Sequence, residues 1–454
     1  MHGWEGGLRR VQRSFDPHSR NSRGREFRWS AGETRELSRE LGLLEAMTIG
    51  LGAIVSGGIY STLGILMDTA GPAVILSALV CTLASIAVGY SYVKLGRKFP
   101  SSGASYEYAA QAFKKYDFVK VILGYALWFG YVVSLGFYSL GFGLYANYLI
   151  PFIPARLFGL AIILALLSVN LLGVGLTGHT QDILVLLEVG ILASFAILGA
   201  AFIRPENYTA FFSRGYVSVF TASALMLIGY EGFEVIASAG EEIKDPEKNL
   251  GRAIYLAILI ASAVYSAVIL VAVGVSSGHI GGAPLAELAN LVAGVPGMIL
   301  LGFGALFSFF SDVNAVLFSS SRLAYAMARD KMMPGILSKI GRKRKVPSVS
   351  LIITSLLGFF FMLIDVRELS SLASLIFFFV FFTISLSNLK LRAETGSNAI
   401  FPIIAMLLCG YVALFADVTA WIGLGLLLLG AFALHLSSTR LAKIFRSFRT
   451  IDNR

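Results

Sequence analysis

Two short runs in this chain place polar chemistry where the neighbouring residues are aliphatic. One is Gly229-Tyr230-Glu231-Gly232, followed by Glu234, inside the apolar stretch Ala222 to Ala239. The other is Ser56-Gly57-Gly58, inside an apolar stretch that begins near residue 43. A carboxylate at mid-membrane costs at least about 2.5 to 3.5 kcal/mol, and each glycine gives up roughly 1 kcal/mol of helix propensity. Both runs therefore predict a helix that breaks, with its freed backbone groups facing a protein-lined cavity instead of lipid. A helix that stops near Ile54 and Val55 leaves carbonyls unpaired, and one that restarts at Gly57, Gly58 and Ile59 leaves N–H groups unpaired. The carbonyl end attracts an ammonium and the N–H end a carboxylate. The second run adds carbonyls near Leu227 and Ile228, with Glu231 a further candidate. Opposite half-charges this close together match a zwitterion, and the smallest common metabolite of that shape is an α-amino acid.

The elements that hold these runs must be membrane spans. Of 454 residues, 56% are hydrophobic and only 14% charged, and the mean hydropathy is +0.75. That leaves too little polar surface to cover a soluble globule. Apolar runs able to cross about 30 Å of hydrocarbon lie at 43–66, 72–95, 121–149, 157–176, 182–203, 217–240, 253–277, 297–325, 347–365, 370–388, 399–415 and 418–437. They predict an all-α polytopic membrane protein of about twelve transmembrane helices. Only Ala416 to Thr419 separates the last two, so a re-entrant pair is the alternative there.

The interrupted spans are the first and the sixth. An offset of five spans inverts topology, so the chain reads as a 5+5 inverted repeat plus two extra helices, with helices 1 and 6 broken mid-membrane. The domain plan is an Arg-rich cytoplasmic tail over 1–40, expected to be disordered, a first half over 41–205, a second half over 206–390, the last two spans over 391–437 and a basic cytoplasmic tail over 438–454. Gly136, Gly141 and Gly143 in the third span are better read as sites of close helix packing.

The net charge of +10 raises the question of nucleic acid, and the placement of the bases answers it. With the N-terminus inside, 33 of the 37 Lys and Arg residues fall in inner segments; only Arg156, Arg204, Arg214 and Arg367 fall outside. That asymmetry puts both termini in the cytoplasm. It makes anionic lipid at the cytoplasmic face the partner of the basic stretches, and not nucleic acid. Cys81 and Cys409 both fall in spans, which excludes a secreted disulfide framework and gives no metal-ligand spacing. The first forty residues lack the apolar core of a signal peptide, and their six acids argue against a transit peptide.

Four blocks carry a resemblance to a known family. They are GLGAIVSGGIY at 50–60, FPSSGASYEY at 99–108, ALMLIGYEGFEVIASAGEEIKDPEKNLGRAI at 224–254 and SSRLAYAMARDKMMP at 320–334. Together they resemble the amino acid-polyamine-organocation transporters, whose inverted-repeat fold is that of bacterial leucine transporters. The resemblance implies that a substrate carboxylate sits on the N–H groups of Ser56, Gly57 and Gly58. The amino group would sit on the carbonyls of Ile54 and Ile228, with Glu231 as a further acceptor. Tyr230 would cap or gate the substrate, and Trp128, Phe129 and Tyr131 would line its side-chain pocket, although packing between helices accounts for those three equally well. Two positions depart from the family pattern: Ser56 replaces the first glycine of a G-x-G, and Gly251 replaces a proline at the entry to the seventh span.

The remaining acids set the coupling question. In similar proteins an acid at the position of Glu234 is implicated in closing the inner path, which implies a gating role through a hydrogen bond to the first span. Glu231 either faces the cavity, favouring a cationic side chain or carrying a proton, or ties helices together. Glu188 stands in the fifth span where some proton-coupled relatives place a lysine in lieu of a sodium ion. As a carboxyl it can bind and release a proton as access alternates, can ligate a cation, or can pair with Ser308, Ser311, Asp312 or Asn314 of the eighth span.

Rival classes find little support. No H-E-x-x-H, G-x-S-x-G or phosphate-binding G-x-x-x-x-G-K-S/T motif is present, and the five histidines are scattered, so no enzyme active site assembles. A receptor or channel is separated from a carrier by saturable counterflow. The expectation is a plasma-membrane carrier of amino acids, with no cofactor beyond a coupling ion. A proton is preferred over sodium, specificity is broad, and no obligate protein partner is needed.

Overall fold

The structure, a computed structural model, describes residues 39–101, 103–172, 178–276, 278–341 and 346–451; for 117, 178–181 and 435–451 it describes the backbone alone. The tail assigned to 1–40 lies outside the described residues except for its last two, as do 342–345 of the basic loop that follows the eighth span.

The described chain is helical throughout, apart from connecting turns and one isolated bridge between Leu41 and Ile243. Its helices are α1 (Leu43–Ile54), α2 (Gly57–Ala70), α3 (Val74–Lys98), α4 (Ala104–Ala112), α5 (Asp117–Leu149), α6 (Ala155–Leu172), α7 (Gly178–Gly199), α8 (Val217–Met226) and α9 (Phe233–Ser238). After these come α10 (Pro246–Val275), α11 (Pro284–Arg329), α12 (Ser348–Phe361), α13 (Val366–Lys390), α14 (Arg392–Thr395), α15 (Ile400–Ala413) and α16 (Val418–Ile451). The tail assigned to 438–454 continues α16 as helix through Ile451.

Among the described residues, eight helical stretches are long and apolar enough to cross a membrane. The first, Leu43–Lys98, contains α1, α2 and α3. Its 56 residues are about 84 Å of helix, far more than one crossing needs. Both of its ends lie at one face: Leu41 donates to Glu242 at 3.0 Å, and Arg97 lies against Gly251, near the start of α10. The stretch therefore crosses and returns, turning at Gly71-Pro72. Helices α15 and α16 meet at 114° and pass the same test only as a bent pair, where a re-entrant arrangement had been the alternative.

Packing obeys the exchange that an inverted repeat requires. Helix α1 packs on α10 as α8 and α9 pack on α3; α5 packs on α13 as α11 packs on α7; and α5 and α11 pack on each other. The apolar windows of α8–α9 and α13 are 83% buried, whereas that of α6 is 28% buried.

Candidate functional site

The first break opens where the sequence places it. Helix α1 ends at Ile54, Val55 leaves the helical region at φ −75°, ψ 78°, and α2 begins at Gly57. Ser56 is its N-cap: the residue is extended, and its hydroxyl accepts the Gly58 N–H at 3.4 Å, satisfying one orphan donor. The exposed poles are held by side chains from other helices. Asp312 of α11 accepts the Gly57 N–H at 2.7 Å, and Tyr265 of α10 donates its hydroxyl to the Ile54 carbonyl at 2.6 Å. A carboxylate thus sits on the N–H pole and a hydroxyl donor on the carbonyl pole.

The second break is closed mainly by its own chain. Helix α8 tightens into the single 3₁₀ turn Leu227–Gly229, and the Leu227 carbonyl accepts both the Tyr230 N–H at 2.7 Å and the Glu231 N–H at 3.1 Å. Gly232 then takes φ +120°, a conformation that a side chain disfavours, before α9 starts. Its N–H donates to Glu234 Oε2 at 2.7 Å. This corrects one expectation. The Glu234 carboxylate bonds within its own segment and not to the first span, because a helix beginning at Phe233 presents orphan N–H groups one or two residues from it. From outside the segment, Ser374 of α13 accepts the Ile228 N–H at 2.9 Å.

The two breaks touch. A Cβ on Gly58 would stand 2.6 Å from the Gly229 Cα and 3.5 Å from the Ile228 carbonyl oxygen, and one on Gly232 would stand 2.5 Å from the Ala53 carbonyl carbon. Ile54, Ser56, Gly57, Gly58, Ile228, Tyr230, Glu231 and Glu234 are all buried here. Tyr230 points to α3, its hydroxyl 3.2 Å from the Ala78 carbonyl and from the Thr82 hydroxyl, with its ring edge-on to Tyr265. Glu231 ties the sixth span to the third: its Oε1 accepts from Ser134 at 3.0 Å and from Tyr138 at 3.1 Å.

Glu188 also comes to the first break from α7, with Ser308 and Asp312 of α11 as its polar neighbours. Asn314 is engaged elsewhere, accepting from Asn170 at 2.9 Å. Glu188 Oε1 and Glu231 Oε2 are buried with no hydrogen-bond partner among the described groups. Among the described residues no Lys, Arg or His is buried, so the charge chemistry of this centre is wholly acidic. Of the three aromatics assigned to the pocket, Tyr131 has the acids Glu231 and Glu234 as neighbours, whereas Trp128 and Phe129 pack in a cluster with Tyr125 on the same helix.

Asp312 and Tyr265 are the residues that sequence reasoning missed as partners of the break. An acid in the apolar run of the eighth span was a visible signal for Asp312, although it pointed toward Glu188. Tyr265 gave no signal, since one tyrosine in a membrane helix is unremarkable by type.

A family model described as amino acid permease matches residues 41–442. An uncharacterized protein of Methanocaldococcus jannaschii is 30% identical over 384 residues, covering 80% of this chain and 85% of that protein. The branched-chain amino acid permease of Bacillus subtilis is 26% identical over 404 residues, with 80% and 83% covered. The methylthioribose transporter of the same organism is 26% identical over 337 residues, with 69% and 72% covered.

Proposed function

Because the chain belongs to the amino acid permease family, we propose that it is a secondary transporter that carries amino acids across the plasma membrane by alternating access, with both termini in the cytoplasm. One observation carries this reading: Asp312 on the Gly57 N–H and Tyr265 on the Ile54 carbonyl. A carboxylate and a hydrogen-bond donor are what the two ends of a zwitterion supply. In this reading the substrate carboxylate replaces Asp312 on the N–H groups of Ser56, Gly57 and Gly58. Its ammonium replaces Tyr265 on Ile54 and gains the Ile228 carbonyl and Glu231. Tyr230 covers the bound molecule, Tyr131 reaches its side chain with Trp128 and Phe129 behind, and Glu234 sets the inner closure.

Most of these contacts are to atoms that every α-amino acid shares, so specificity is broad. The names of two relatives point to different cargo, a branched-chain amino acid and methylthioribose, so the substrate assignment rests on the two poles. Glu188, beside the first break and unpartnered on Oε1, is the proton carrier, with sodium as the second choice of coupling ion. Anionic lipid at the cytoplasmic face is the remaining partner. A second reading, transport of cationic amino acids or polyamines, draws on the free Glu231 Oε2 and the absence of buried cations among the described residues.

Uptake into proteoliposomes with a panel of amino acids, under imposed pH or sodium gradients, tests the proposal. The expected result is saturable counterflow of several neutral amino acids, together with net uptake driven by an inward proton gradient. Glu188→Gln is expected to flatten the pH profile while leaving binding intact. Counterflow restricted to lysine, arginine or polyamines selects the second reading. No counterflow with any substrate overturns both.

A further inference from the structure

We infer that the groove between α3 and α10 is a binding site for the phosphate headgroup of an anionic glycerophospholipid. A cavity of about 650 Å³ lies between the two helices. On α3 it is lined by Tyr90, Val93, Lys94 and Arg97, positions whose spacing puts them on one helix face. On α10 it is lined by Lys248, Arg252, Tyr255, Leu256 and Leu259, again on one face. Arg97 lies against Gly251, so the end of α3 and the start of α10 meet at the same face of the protein. The four cations gather there, and the residues further along both helices are aromatic and aliphatic.

None of the four cations makes an ion pair among the described residues. Arg97 Nε is buried without a hydrogen-bond partner, and Lys94 donates only to the neutral Gly396 carbonyl, at 3.1 Å. Glu247 is the one acid in the lining. Gly251 keeps the floor open, since a Cβ there would meet Arg97 Nη2 at 3.0 Å and Val93 at 3.2 Å. A second cavity of about 340 Å³ shares Arg97, Lys248 and Glu247 and adds Arg39 and Asp245, so three cations and two acids line the surface toward the start of the first span.

The ligand class follows from the two halves of the groove. Four cations that make no ion pair among the described residues, beside a single acid, attract a phosphate. Beyond them Leu256 and Leu259 are 39% and 51% exposed, which gives an acyl chain a wall to lie on. A soluble phosphate has no use for that wall, and a neutral lipid has no use for the cations. A lipid seated here bridges the second and seventh spans, and the seventh packs on the inner half of the first. The assignment deepens the cytoplasmic lipid contact proposed above, but it is tested through binding alone, so failure of transport and failure of this site are separable.

The test is native mass spectrometry of the delipidated full chain, titrated with phosphatidylglycerol, with phosphatidylcholine, and with glycerol 3-phosphate as the soluble headgroup. Phosphatidylglycerol is expected to be retained over phosphatidylcholine, with glycerol 3-phosphate failing to displace it. Arg97→Gln and Arg252→Gln are each expected to weaken retention by roughly fivefold, the worth of one basic residue near a charged lipid surface. Gly251→Leu, which fills the floor without altering charge, is expected to lower retention too, and Arg204→Gln, exposed in an outer segment, to leave it unchanged. Equal retention of the two lipids by the wild-type chain overturns the site whether or not the variants fold. Displacement by glycerol 3-phosphate, or variants that bind as wild type does, overturns it as well.

Discussion

The two helix breaks are alike in depth and unlike in how they are satisfied. At the first, the poles are held from a distance: a carboxylate from α11 and a phenol from α10 reach Gly57 and Ile54. At the second, the Leu227 carbonyl and the Glu234 carboxylate close the segment on itself, and the partner from outside is a neutral serine. A pole held by a removable side chain can pass to a ligand of the same chemistry. A pole held by its own turn cannot be released without unwinding that turn. We propose on this ground that the first break exchanges its partners for substrate while the second serves mainly as a hinge, and four substitutions test that division.

The largest effect is expected at the point of contact. Gly58→Leu drives a side chain into the Gly229 backbone, where a Cβ alone would already sit at 2.6 Å, and backbone cannot yield as a side-chain tip does. Substrate binding and uptake should both be abolished in protein that still runs as a single species on gel filtration; normal uptake would remove the site from this place. Next comes Gly232→Ala, which forces a side chain onto φ +120° at a cost of about 1 to 3 kcal/mol. A lowered thermal unfolding midpoint in detergent is expected, and an unchanged midpoint would mean that the second break is not under this constraint.

A smaller effect, of opposite sign, is expected at the first break. Asp312→Ala removes a charged hydrogen bond of about 1.5 to 3 kcal/mol with which the substrate competes, so equilibrium binding of a neutral amino acid should tighten by roughly tenfold or more. Weaker binding would recast Asp312 as a helper of the substrate. The smallest change belongs to Tyr265→Phe, which frees the Ile54 carbonyl of a neutral bond worth about 0.5 to 1.5 kcal/mol. Calorimetric titration should show tightening of only a few fold, in the same direction. Opposite signs for the two substitutions would break the equivalence of the two poles.

The sequence by itself determined the class of the protein and the location of both breaks. Hydropathy and helix propensity are sums over neighbouring residues, so Ser56-Gly57-Gly58 and Gly229 to Gly232 declare an interruption without reference to anything distant. What the sequence did not determine was which groups meet at the interruption. Glu234 is expected to bond to the first span and bonds instead to Gly232, two residues away; Asp312, one of four candidate partners of Glu188, holds Gly57, 255 positions earlier in the chain. Trp128 and Phe129 share a helix and a residue class with Tyr131 but cluster with Tyr125, whereas Tyr131 has Glu231 and Glu234 for neighbours. In each case the deciding quantity is the rotation of one packed helix against another. That rotation is fixed by the whole set of interlocking side chains at the interface, and no run of adjacent residues contains it.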